Sequence, residues 1–197
     1  MFVMSLIEIS KQFDEAELAL LRSCIGRELV GYEGYSIDDD GDHIYKTARV
    51  EFDGRAIDLM NEHETLALGP DFVEEEVAIL RVREAAGDLW TPPGKATVRT
   101  ECGFQVADVL VVVDSALLAK GSRKLIDFKW VQAVLFENED GGYLVFDRDI
   151  WSDEYLTVRR GPSVSTTTRD FRPDWVAEPP YGYTFGRTVL RLSSTHS

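Results

Sequence analysis

Residues 47–60 read TARVEFDGRAIDLM and predict a β-hairpin. An Asp-Gly pair separates two runs of alternating apolar and polar residues, which is the strongest local signal for a two-residue hairpin turn. Because such a turn fixes the register, Val50 faces Ile57 on one side of the hairpin and Arg49 faces Asp58 on the other. The first face is apolar and belongs to a core, and the second carries a pair of opposite charges.

Alternation continues along most of the chain and predicts further strands. The predicted strands cover residues 29–37, 43–52, 55–61, 77–83, 96–106, 108–113, 126–137, 143–150, 155–159 and 183–192. Helices are few: Asp14 and Glu17 form a capping-box start for a helix over 14–25. We also expect a helical turn before residue 77, a short helix over 114–120 and a loop over 163–169. The fold class is therefore α+β and mainly antiparallel, with one or two short helices, and both a sandwich and a partly open barrel fit the pattern.

The chain of 197 residues is predicted to form one globular domain over residues 1–197. Its two β-rich halves resemble each other weakly. A hairpin with an Asp-Gly turn, followed later by Gly-Pro, occurs in both 27–95 and 96–165. These two segments form a predicted pseudo-repeat, and the alternative is that all hairpins share a limited turn chemistry.

The charge is strongly acidic and unevenly distributed. The chain has a net charge of −14, and residues 1–98 alone carry 21 acidic and 9 basic residues. This field repels nucleic acid and anionic membranes, and it favours a basic protein as a partner. The first residues lack the basic start and longer apolar stretch of a signal peptide, so the cytoplasm is the expected compartment. The two cysteines, Cys24 and Cys102, are expected to be buried, reduced thiols.

Sequence patterns for catalysis or cofactor binding are missing. The sequence contains no nucleophile elbow, no phosphate-binding glycine motif and no His or Cys spacing typical of zinc ligands. We therefore predict no catalytic residues, no metal site and no cofactor.

Two groups of residues are candidate binding sites. Asp147 and Asp149 alternate on one predicted strand, about 7 Å apart by ordinary strand rise, and Trp151 follows them. This spacing also occurs at any solvated strand end. Trp175, Tyr181 and Tyr183 lie in a segment rich in Pro and Gly, where aromatic side chains favour either an interface or a lid on the core.

The sequence favours a non-catalytic, acidic protein-binding domain, for example an inhibitor or immunity-type protein that covers a basic partner. The alternative is a domain that binds a small molecule or a sugar, or a hydrolase, with a carboxylate-lined pocket near Asp147. A homodimer that uses the aromatic segment is a third hypothesis.

Overall fold

The computed structural model describes residues 6–39, 42–67, 74–148, 155–169 and 177–193. The elements of this part of the chain are β1 (Ile7–Lys11), α1 (Glu15–Arg22), β2 (Glu28–Gly34), β3 (Ser36–Asp39), β4 (Asp42–Tyr45), β5 (Thr47–Phe52), β6 (Arg55–Ala67), β7 (Glu74–Glu84), β8 (Val98–Lys120), β9 (Arg123–Asn138), β10 (Tyr143–Arg148), β11 (Leu156–Gly161), α2 (Val164–Thr167) and β12 (Tyr181–Arg191).

The strands form one open sheet whose halves share the long strand β8. The first part of β8 pairs with β2, and the order continues through β5, β6 and β7. The second part pairs with β9, and the order continues through β10, β11, β4 and β3. Strand β12 lies antiparallel to β8 on its other side, and β1 lies parallel to β9. The prediction of an α+β, mainly antiparallel fold with one or two short helices is confirmed.

The two halves of the sheet face each other across a common core. Phe52 of β5 lies 5.5 Å from Phe136 of β9, and Tyr32 of β2 lies 5.5 Å from Phe146 of β10, measured between ring centroids. Strand β8 passes from one half to the other near Gly103, whose positive φ of 67° suits a residue without a Cβ. A register shift follows between Val106 and Asp108.

The hairpin predicted over residues 47–60 forms with the predicted register. Val50 pairs with Ile57, and Arg49 pairs with Asp58. Val50 and Ile57 are both fully buried. Arg49 makes two hydrogen bonds to the Asp58 carboxylate, of 2.8 and 2.9 Å, which raise the pKa of the Arg49 guanidinium.

The first predicted helix also forms, and it is shorter than expected. Asp14 caps α1, and its side chain accepts a hydrogen bond from the backbone N–H of Glu17, whose own side chain accepts one from the Asp14 N–H. The helix ends at Arg22, and a turn reaches Gly26, whose φ is 79°. Leu21 is fully buried and belongs to the common core.

Three local predictions are wrong. Residues 114–120 were expected to be a helix and belong to strand β8, because β9 and β12 pair with this segment from both sides. Residues 74–76 belong to β7, which pairs with β6, and the rest of the predicted helical turn lies outside the described residues. The expected loop over 163–169 contains the short helix α2, which Ser163 caps.

The structure also bears on membrane spans and on the two cysteines. No helix among the described residues is long and apolar enough to cross a membrane. Cys24 is buried and Cys102 is partly exposed, and the two thiols are not joined in a disulfide. The pseudo-repeat of 27–95 and 96–165 stays a prediction.

Candidate functional site

The structure does not bring together the six residues singled out from the sequence. Asp149, Trp151 and Trp175 lie outside the described residues. Asp147 is on β10 and is fully buried, so the interpretation of this position as a solvated strand end is wrong. Tyr181 and Tyr183 are on β12, where both pack against a buried cluster that contains Phe128 and Trp130.

A cavity of about 380 Å³ lies between α2 and the strands β8, β9 and β12. We call it the α2 cavity. Its apolar wall consists of Trp130 of β9, Val164 of α2, and Phe185 and Val189 of β12. The volume is within the range of small-molecule sites, which are mostly apolar with a few polar groups.

The strand register explains why these side chains meet. Asp114 of β8 lies between Trp130 of β9 and Arg187 of β12, so the three residues form one row across the sheet. Phe185 and Val189 lie on the same face of β12 as Arg187, because side chains alternate along a strand. The row thus places an aromatic ring, a carboxylate and a guanidinium beside one another.

Arg187 connects this row to the segment that follows α2. Its guanidinium donates two hydrogen bonds to the Asp114 carboxylate, of 2.6 and 2.7 Å. It also donates to Thr168 Oγ1 at 2.8 Å and to the carbonyl oxygen of Arg169 at 2.6 Å. The two charge-assisted hydrogen bonds to Asp114 fix the orientation of the Arg187 guanidinium. Because the same guanidinium also binds Thr168 and Arg169, it attaches the end of α2 to the sheet.

Asp147 holds the same segment from the neighbouring strand. One carboxylate oxygen accepts a hydrogen bond from the backbone N–H of Arg169, and the other accepts one from Gln132 Nε2. Arg159 Nη1 lies 3.7 Å away. Burial raises the pKa of the Asp147 carboxyl to about 6, and these donors and the positive charge of Arg159 oppose the rise.

Gln132 links Asp147 to the cavity wall. Val112 and Val113 of β8 pair with Ala133 and Val131 of β9, so Gln132 has no partner on β8 and forms a β-bulge. Its Oε1 accepts a hydrogen bond from Trp130 Nε1 at 3.2 Å. Asp147 does not line the cavity itself. It supports the cavity wall through its hydrogen bonds with Gln132 and with the backbone N–H of Arg169.

Arg148 is a buried basic residue beside Asp147. Its side chain is fully buried, and burial lowers the pKa of its guanidinium to about 9, while Asp147 and Asp114 oppose the change. The backbone oxygen of Arg148 accepts a hydrogen bond from Gln132 Nε2 at 3.1 Å. Of the charged residues in and behind the cavity wall, Asp114, Asp147 and Arg148 are buried, and Arg187 is exposed to solvent.

The sequence interpretation missed most of this site. It selected Asp147 and passed over Asp114, Trp130, Gln132 and Arg187. The local signal at Asp114 is an acidic residue directly after the apolar run 109–113, and it was attributed to a helix start. A carboxylate at the end of a buried run of β-branched residues needs a basic partner, so the sequence signal at Asp114 was its position after residues 109–113.

Among the described residues, no three His, Cys, Asp or Glu side chains come close enough together to hold a metal ion. Searches of protein families, curated proteins and solved structures found no match to this chain.

Proposed function

We propose that this protein is a ligand-binding domain that holds a small organic molecule in the α2 cavity. The observation that carries the proposal is the cavity of about 380 Å³ with aromatic and aliphatic walls and the hydrogen-bonded pair of Asp114 and Arg187 at one side. Replacing an ion pair that is removed from water by hydrophobic residues of similar size is often neutral or stabilising, so stability of the sheet does not by itself account for the Asp114–Arg187 pair.

Preorganisation supports the same proposal. Two strands hold the segment after α2, through Arg187 on β12 and Asp147 on β10. A wall that is fixed before binding reduces the entropy lost when a ligand is ordered, which raises affinity. We expect the cavity to bind without a large rearrangement of the sheet.

The test uses 2-naphthol as a probe and compares two tryptophan substitutions. Val189 lines the cavity and is 40% exposed, so Val189→Trp places an indole at the cavity wall. Val98 is 41% exposed on β8 and does not line the cavity, so Val98→Trp is the matched control. We expect saturation-transfer NMR to show 2-naphthol binding to the wild type and to Val98→Trp, and at least about tenfold weaker binding to Val189→Trp. Equal binding to all three proteins would contradict the proposal.

A second candidate is the acidic protein-binding domain expected from the sequence, acting in the cytoplasm. The net charge of −12 over residues 1–98 favours a basic partner. The surface observation in its favour is Trp90, which is 57% exposed and packs edge-on against Tyr35 at 6.2 Å. Exposed Trp side chains with rigid support are frequent binding hot spots.

The two candidates are separated by their response to substitution and salt. Binding of a purified basic partner is expected to weaken as salt rises and to weaken again in Trp90→Ser, and to remain unchanged in Val189→Trp. If the affinity for the basic partner changes neither with salt concentration nor in Trp90→Ser, this second candidate is excluded.

A further inference from the structure

The charged pair at the α2 cavity is neutralised within the protein. Both oxygens of Asp114 accept hydrogen bonds from Arg187, and the remaining described bonds of Arg187 go to Thr168 Oγ1 and to the Arg169 carbonyl oxygen. The Asp114 side chain is only 10% exposed. Each of the two charges in the cavity wall therefore already has a counter-charge within the protein.

Hydroxyl groups supply the polar part of the wall. Thr168 Oγ1 accepts from Arg187 and donates to the Val164 carbonyl oxygen at 2.8 Å. Ser115 Oγ faces the Gly186 carbonyl oxygen at 3.4 Å and retains lone pairs that can accept from a ligand. The cavity thus offers ring and aliphatic surfaces with a hydroxyl acceptor at one side.

We infer that the α2 cavity selects a neutral, ring-containing ligand with a hydrogen-bond donor, such as a phenol, over carboxylates and amines of the same size. This inference rests on the proposed function. An ion that enters the cavity loses hydration and finds no unpaired counter-charge in the described wall. A flat ring, in contrast, gains contact with Trp130 and Phe185.

The experiment compares three naphthalenes of matched size by isothermal titration at neutral pH: 2-naphthol, 2-naphthoate and 2-naphthylmethylammonium. We expect 2-naphthol to bind at least about tenfold more tightly than either ion. An ion that binds as tightly as 2-naphthol and is blocked by Val189→Trp would overturn this inference and leave the proposed function standing. If none of the three compounds binds, the proposed function fails with it.

A variant tests the cause of the selectivity. Asp114→Asn leaves Arg187 without its counter-ion at the cavity, and the affinity for 2-naphthoate relative to 2-naphthol is expected to rise by about tenfold. The matched control is Asp108→Asn, because Asp108 is on the same strand, is equally buried and pairs with Arg191 of β12 outside the cavity. A relative affinity that changes equally in both variants, or in neither, would contradict the assigned role of Asp114.

Discussion

The buried carboxylate of Asp147 should make the stability of the fold depend on pH in a direction opposite to that of an ordinary salt-bridged acid. Its pKa rises from 3.8 to about 6 in the folded protein because the side chain is removed from water. The folded state therefore retains this proton more strongly than the unfolded state. Below the lower pKa both states are protonated, and the cost of a buried charge is absent. Stability is lost as pH rises through about 6.

The magnitude follows from the size of the shift. A change of about two pKa units corresponds to about 3 kcal/mol of unfolding free energy over the whole window. About half of this, roughly 1.4 kcal/mol, falls between about pH 5 and about pH 8. This range avoids the isoelectric point near 4.6, where the protein is least soluble.

The perturbation is Asp147→Asn, which removes the titration and keeps the shape of the side chain. Urea unfolding followed by tryptophan fluorescence gives the free energy of unfolding of both proteins at several pH values. The difference between the two proteins cancels the other titrating groups. We expect the unfolding free energy of the variant to rise by about 1.4 kcal/mol relative to that of the wild type between about pH 5 and about pH 8. A difference that is constant with pH, or that moves in favour of the wild type, would refute the reasoning.

Two further substitutions test how α2 is held. Arg187→Gln leaves the Asp114 carboxylate buried without its partner, so urea unfolding should show a loss of about 2–3 kcal/mol, and adding Asp114→Asn should restore part of it. No restoration would mean that the ion pair is not the cause. Gly161→Ala places a methyl group within 2.9 Å of Thr167 Cγ2, and since Thr167 is buried and β-branched, we expect a loss of about 1–3 kcal/mol. An unchanged midpoint would show that α2 can move away from β11 at no cost.

Local signals explain the parts of the fold that sequence reasoning predicted correctly. The hairpin over 47–60 follows from its two-residue turn, which leaves one register that satisfies both faces. Helix α1 follows from the capping box of Asp14 and Glu17, which lie three residues apart. In both cases, residues close together in the sequence are enough to predict the structure.

The segment 114–120 shows where such reasoning fails. Its Ala and Leu residues have good helix propensity, and the sequence offers no local signal against a helix. Pairing with β9 and β12 overrides that propensity, since it satisfies the backbone on both sides. The following Gly121 forms a hairpin turn with a φ of 59°, where the prediction had placed a helix stop.

The candidate site could be predicted only in part for the same reason. The sequence marks Asp147 because it alternates with Asp149 on one predicted strand and Trp151 follows them. The buried carboxylate of Asp147 accepts hydrogen bonds from Gln132 and from the backbone of Arg169, which are 15 and 22 positions away. Asp114 and Arg187 are 73 positions apart, and their pairing depends on the register of two strands that are far apart in sequence. No spacing rule within one strand or one turn contains this information.

The central claim, that the α2 cavity binds a small molecule, is tested most directly by mapping where 2-naphthol contacts the protein. In a titration of ¹⁵N-labelled protein, we expect the largest amide shifts in residues 164–168 and 185–189 and at Ser115, and small shifts around Trp90. Shifts that cluster around Trp90, or that are spread evenly over the sheet, would contradict the claim.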